Sequence, residues 1–212
     1  MGLHSVASAF MWLYTIQKVD SHQQDLPELI KNVNAIDPKF SYPYAFATLI
    51  LPSLNFTNEA IEIGKEGIKN ADPDWRIPFY LATTYHIFLK DRANASLYFD
   101  IASNTPGAPE KIHSISARYG TSQTELDQTR EIWTSIYETS NDELVTERAK
   151  RFIIHLDIVG ALKKAILLYK QRYGHYPPTI DDLVTAKILK ALPQSPLGVK
   201  FGVDKNGKLT IE

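Results

Sequence analysis

Six histidines, His4, His22, His86, His113, His155 and His175, are the first side chains to test for chemistry. No two are four residues apart and no His-Glu-x-x-His occurs, so a helical zinc site is not encoded. His155 lies beside an apolar stripe three residues after Phe152 and is expected to be neutral and hydrogen-bonded. Carboxylates pair at Glu59/Glu62, Asp142/Glu143 and Asp181/Asp182. The last two pairs fall at expected helix starts, where negative charge is favourable. Glycosidase-type pairs come from separate elements facing across a cleft, which this spacing does not foreshadow. There is no Gly-x-Ser-x-Gly and no P-loop. Gly64-Lys65-Glu66-Gly67 falls inside a helical pattern, where small residues serve packing rather than phosphate binding. Asn55-Phe56-Thr57 and Asn94-Ala95-Ser96 match a glycosylation sequon, a short and frequent pattern. The expectation is a non-enzyme needing no cofactor and no metal.

Bulk composition narrows the classes further. The chain has 212 residues, 44% hydrophobic and 22% charged, enough to build a core. With 23 basic and 24 acidic residues the net charge is −1, so bulk charge calls for neither nucleic acid nor an anionic membrane. The absence of cysteine excludes disulfides, zinc–thiolate sites and cysteine nucleophiles. No apolar run approaches the roughly 18–20 residues needed to span a bilayer. The most apolar stretch, Val6 to Ile16, lacks a basic flank and a cleavage site, and reads as a buried first helix rather than a signal peptide. A chain that opens directly on a buried helix leaves room for a targeting or anchoring segment upstream.

The elements that hold these residues are organised by a repeat. Asp37-Pro38 recurs as Asp72-Pro73, 35 residues on, and Phe40 as Trp75, Pro43-Tyr44 as Pro78-Phe79, Ala47 as Ala82, and Ala60 as Ala95. Each unit reads as helix, turn, helix: residues 41–53 and 57–70, then 76–89 and 92–104. Pro38 and Pro73 follow a helix and cannot continue it. The alanines let helices approach closely, and Tyr44, Phe79 and Phe99 fill the space between neighbouring pairs. One pair cannot bury its own apolar face, so stacking is required. Residues 3–36 read as a diverged first unit, with Trp12 and Tyr14 as core and Asp25 capping a helix that carries Pro27 in its first turn. Pro109 to Tyr137 reads as a fourth pair, with Ser122 to Thr124 capping its second helix.

This pattern resembles the tetratricopeptide repeat, whose period is 34. The family's aromatic, Leu–Gly and Tyr positions are held by Tyr44, Ala47-Thr48 and Leu51, then by Phe79, Ala82-Thr83 and His86. The later alanine, aromatic and alanine places match Ala95, Phe99 and Ala102, and less closely Ala60, Gly64 and Gly67. The resemblance makes His86 a packing residue. It also implies a concave face formed by Tyr42, Ala45, Leu49, Pro52 and Ser53, then Ile77, Tyr80, Thr84, Ile87 and Phe88. That face is too apolar for a carboxylate clamp; it would take an apolar helix of a protein or peptide partner, or be covered by residues 1–36 or by the long helix.

From Asn141 a helical pattern runs to Tyr173, capped by Asn141 or Asp142 and ended by Gly174. Phe152, Leu156, Val159, Leu162, Ala165, Ile166 and Tyr169 form its buried stripe. Arg148, Lys150, Arg151, Lys163, Lys164, Lys170 and Arg172 lie mostly off it, as a solvated face. His175 to Pro178 must be extended. Thr179 to Lys187 reads as a short helix capped by Thr179. Val199 to Val203 and Lys208 to Ile211 alternate as strands around a turn at 204–207.

The run Ala165-Ile166, Tyr169, Gly174-x-Tyr176-Pro177, Leu183, Leu192-Pro193, Pro196-x-Gly198 and hairpin is similar to the soluble part of type II secretion pseudopilins. Ser195 and Leu197 stand where that family favours Asp and an aromatic, and no acidic cluster supports carrying its calcium over. The combination resembles bacterial repeat proteins in which an anchored helix leads into repeats and then this tail. The expected fold is mostly α, a solenoid of antiparallel helix pairs at 1–140 followed at 141–212 by a long helix, loop and small hairpin. The expected function is a protein-binding scaffold of a bacterial envelope, pilus or secretion assembly. The place implied is the periplasmic side of an anchored protein, with the cytoplasm the alternative. The membrane is met only through the upstream anchor, and nucleic acid is not a partner. The alternatives are a purely structural or homo-oligomer-forming domain, and an enzyme of unrecognised type.

Overall fold

Prolines and capping carboxylates set where the helices begin. A computed structural model describes residues 3–120 and 124–211. The chain is mostly helical with one small antiparallel sheet. The helices among the described residues are α1 (Leu3–Ile16), α2 (Leu26–Ile36), α3 (Ser41–Ile50), α4 (Thr57–Asn70), α5 (Arg76–Ile87), α6 (Arg92–Ser103), α7 (Glu110–Arg118), α8 (Glu125–Thr139), α9 (Glu143–Tyr173) and α10 (Asp182–Thr185). The strands are β1 (Phe201–Val203) and β2 (Leu209–Ile211). By its own contacts the chain divides into two units, 1–122 and 123–212.

Local chemistry explains several boundaries. Asp91, Thr124 and Asp142 each accept a backbone N–H three residues on, which satisfies an otherwise orphaned donor. Asp25 makes no such bond, because its backbone is already helical (φ −88°, ψ −12°) and not extended as a cap requires. Ser122, expected to share in a cap, lies outside the described residues. α3 stops at Ile50 rather than 53, and residues 51–54 form a 3₁₀ turn. Pro52 has no N–H to give the Thr48 carbonyl, and that carbonyl instead accepts the Thr84 hydroxyl of α5 at 2.8 Å. The first helices of successive pairs are thereby joined.

In the first unit α3 packs on α4, α5 on α6, and α3 and α4 both on α5. Ala47, Ala60, Ala82 and Ala95 are fully buried, as are Tyr44 and Phe79, with Phe99 almost so. The Phe79 and Phe99 rings lie 5.4 Å apart, a range in which tilted aromatic pairs attract. Gly64 and Gly67 lie directly over Thr48 and Tyr44. A methyl on Gly67 would sit 2.7 Å from Tyr44 Cβ, so these glycines set how closely α4 approaches α3. Tyr44 is sealed deeply enough that burial, with Glu66 and Asp37 adding to it, pushes its phenol up to about 12.

Two expectations about the helices change. The fourth pair is split, because α7 packs on α6 while α8 packs on α9. The expected boundary at 140 falls inside the α8–α9 pair. In addition α1 is not a buried helix. Among its described side chains only Ser8, Trp12 and Thr15 are buried, while Tyr14, expected in the core, is exposed.

In the second unit Trp133 of α8 stacks on Phe152 of α9 at 4.2 Å. The α9 stripe from Leu162 to Tyr169 packs on Ile180 and Leu183 and on partly buried Leu192, Phe201, Val203 and Leu209. Gly174 (φ 80°) closes α9 in the left-handed conformation that glycine adopts without strain. The short helix spans 182–185 rather than 179–187. Thr179 gives both its N–H and its hydroxyl to the Asp182 carboxylate, so it folds into a turn instead of capping a longer helix. The hairpin pairs Phe201 with Ile211, Gly202 with Thr210 and Val203 with Leu209. Its turn is held by the Asp204 carboxylate, which accepts from the N–H of Asn206 and Lys208.

Candidate interaction surfaces

The residues expected on the concave face are placed unequally. Leu49, Ile77, Tyr80 and Thr84 are buried in the chain as it stands, and Tyr42 and Phe88 are half-buried. Trp12 of α1 accounts for part of this, since its ring meets those of Tyr42 at 5.6 Å and Phe46 at 5.1 Å. Thr84 spends its hydroxyl on Thr48. Leu49, Ile77, Tyr80 and Thr84 are core in this chain, so that part of the face across α3 and α5 is covered, while Tyr42 and Phe88 keep some of their surface accessible. Residues 1–36 supply part of the cover, one of the two outcomes the apolar composition allowed.

The polar candidates are each held in a structural contact. His86 is buried and its Nδ1 lies 2.8 Å from the Tyr119 hydroxyl. His155 Nδ1 lies 2.9 Å from Ser195 Oγ, and its imidazole stacks on Phe201 at 5.7 Å. Burial lowers the His155 pKa below its ordinary value of 6.5, so the ring is held neutral beside the seryl hydroxyl. Ser195 Oγ also accepts the Leu197 N–H. The pair pins the tail loop to α9. A serine–histidine pair otherwise suits acyl transfer, but that chemistry needs a third group orienting the imidazole and donors for an oxyanion. Here Phe201 stacks on the flat face of the imidazole, and no hydrogen-bond partner other than Ser195 orients the ring among the described residues. Asp157 pairs instead with Arg130 at 2.6 Å. No cluster of three His, Cys, Asp or Glu side chains suited to a metal occurs among the described residues.

Sequence reasoning missed three features. Asp74 and Arg76 form an ion pair of 2.6 Å at the start of α5, with Asp74 almost wholly buried. Burial alone would raise the Asp74 pKa, but hydrogen bonds and charge from Arg76 outweigh it and hold the carboxyl below its usual range. Arg76 in turn lies 5.5 Å over the Tyr42 ring. Arg148, expected on the solvated face, is largely enclosed against Phe152, and desolvation pushes its pKa down to about 10. The adjacent Arg151 contributes to that shift. No signal in spacing marks these two sites.

The third feature is the outer face of α1. Val6 is 47% exposed, Phe10 70%, Leu13 51% and Tyr14 48%, at the spacing of one helical face. The inward positions Ser8 and Thr15 turn their hydroxyls back onto Ser5 and Met11 carbonyls of the same helix. α1 thus presents its apolar side outward and small polar residues inward. No helix among the described residues is long and apolar enough to cross a membrane.

Comparison of the chain with protein-family models, with curated proteins and with solved structures gives no match.

Proposed function

We propose that this protein is a non-catalytic scaffold that binds another protein, built on a solenoid of tetratricopeptide-like helix pairs. The observation that carries the reading is the outward apolar face of α1, because contiguous apolar side chains on a surface mark a place where something else is to be covered. The repeat supports it. Alanines 35 residues apart are sealed at the helix crossings, and a rigid stack behind α1 is what a docking face needs. The tail, similar in its residue order to pseudopilins, supports a setting in a bacterial envelope assembly with an anchor upstream. The absence of catalysis is inferred from what the candidate groups already do: His86, His155, Asp142 and Asp182 are each committed to a structural hydrogen bond.

A photocrosslinking side chain at position 10, in cells making the full chain, tests the scaffold reading. The expected result is one discrete heavier adduct, lost when Leu13→Glu is combined with it. A chain that yields no adduct and stays monomeric at high concentration removes the reading. An adduct of twice the chain mass moves it to the structural alternative, a homo-oligomer.

A further inference from the structure

The hairpin of the second unit is a sheet with one strand missing on the α9 side. Phe201, Val203, Leu209 and Ile211 share its inner face by register, and the first three pack against the α9 core. Beyond β2 that apolar layer continues uncovered, with Ile211 49% and Leu167 60% exposed. Between them runs a groove of about 380 Å³, floored by Val159, Ile166 and Leu167 of α9 and walled by Leu209 and Ile211.

The backbone along this groove is open. Asp204 N–H donates to the Lys208 carbonyl at 3.0 Å, which makes that couple the closing hydrogen-bonded pair of the hairpin. Antiparallel pairs alternate between bonded and non-bonded, so Gly202/Thr210 is bonded while Val203/Leu209 and Phe201/Ile211 are not. The N–H groups of Leu209 and Ile211 and the Leu209 carbonyl therefore point away from β1, along the groove side. They have no other backbone partner among the described residues. Lys163 and Lys208 line the same groove, and neither makes an ion pair among the described residues.

We propose that β2 and this groove form a site for an extended, apolar peptide segment carrying a carboxylate, which adds as a third strand. Main-chain bonds to Leu209 and Ile211 would align it, and alternate side chains would fall into the groove. The two ammonium groups select the sign of the partner's charge. They also argue against a second copy pairing through its own β2, since that would set Lys208 against Lys208 with Lys163 close by. The site belongs to the second unit and does not depend on the reading given to α1.

The test uses the full chain and two fluorescent octapeptides of alternating valine and threonine, one flanked by glutamates and one by lysines, read by anisotropy. The glutamate peptide is expected to bind, and the lysine peptide at least tenfold more weakly. Lys163→Glu with Lys208→Glu should reverse that preference. Ile211→Pro removes one outward N–H and should weaken binding severalfold while far-UV circular dichroism stays unchanged, because that N–H takes no part in the β1–β2 ladder. Phe10→Glu on α1 should bind the peptide as the wild type does. Equal binding of both peptides, or none by the folded wild type, overturns the proposal. A concentration-dependent dimer abolished by Ile211→Pro overturns it in favour of self-pairing.

Discussion

Two glycines in helix interiors make opposite predictions for the same substitution. Replacing glycine by alanine within a helix ordinarily stabilises by about 1 kcal/mol, through backbone entropy and propensity. At Gly160 in α9 the new methyl would meet only Leu126 Cδ2, at an ordinary 3.6 Å. At Gly67 in α4 it would meet Tyr44 Cβ and Cγ at 2.7 Å and Cδ1 at 2.8 Å. Those atoms belong to the rigid base of a fully buried ring that cannot swing away. Overpacking typically costs 1–3 kcal/mol, and three contacts this short with atoms that cannot swing away put this case at the upper end, about 2–3 kcal/mol. The expected outcome is Gly160→Ala more stable by ~0.5–1 kcal/mol and Gly67→Ala less stable by ~1–2 kcal/mol net of propensity. Urea unfolding followed by circular dichroism resolves differences of that size. Tyr44→Phe should give no rescue, since the contacted atoms are common to both side chains. If Gly67→Ala proves neutral or stabilising, α4 is not held against α3 by glycine, and the close-packed pair argued above fails.

Other expectations follow from single contacts. Stability should fall between pH 7.5 and 5.5 in a way that His155→Gln flattens. Burial lowers this histidine's pKa, so the unfolded chain takes up a proton near 6.5 that the folded chain resists. The stabilisation is complete above that value and is lost as pH falls towards the lowered folded one. Equal slopes of Tm against pH in the two proteins would refute a neutral His155 holding Ser195. Asp142→Ala should cost about 1 kcal/mol in urea unfolding by uncapping α9, and Asp142→Asn much less. Arg130→Ala should cost under ~1 kcal/mol and less still in 1 M salt, because the Arg130–Asp157 pair is half exposed on both sides.

The helices were readable from sequence because their boundaries are made by local chemistry. Asp91, Asp142 and Gly174 act within four residues of themselves, and the 35-residue offset located four helices within a few residues of their ends. Pro52 trimmed α3, a signal present in the sequence but read as compatible with three more helical residues. Partnering was harder to read. α7 and α8 are adjacent in the chain, yet the contacts pair α8 with α9, through matches such as Trp133 on Phe152 that lie 19 residues apart and carry no period. The same limit hid the Asp74–Arg76 pair, whose surroundings include Ser41 and Tyr42 of α3.

The burial of α1 was misread for a more specific reason. Periodicity identifies a face only when the helix has a polar side to contrast with it. From Val6 to Ile16, α1 has no charged residue, so its moment says little about which side is turned in. Apolar content alone suggested burial. What decides the matter is volume: α1 lies against a surface already filled by Tyr42 and Phe46, and only Trp12 among its large side chains finds space there. Ser8 and Thr15 are small and satisfy their own hydroxyls on helix carbonyls, so they can be enclosed at little cost. Phe10, Leu13 and Tyr14 are left outside by that choice. The residues that fit the stack and the residues left exposed are therefore opposite sides of one steric decision, and an apolar helix of this composition leaves both sides available until its neighbour is known.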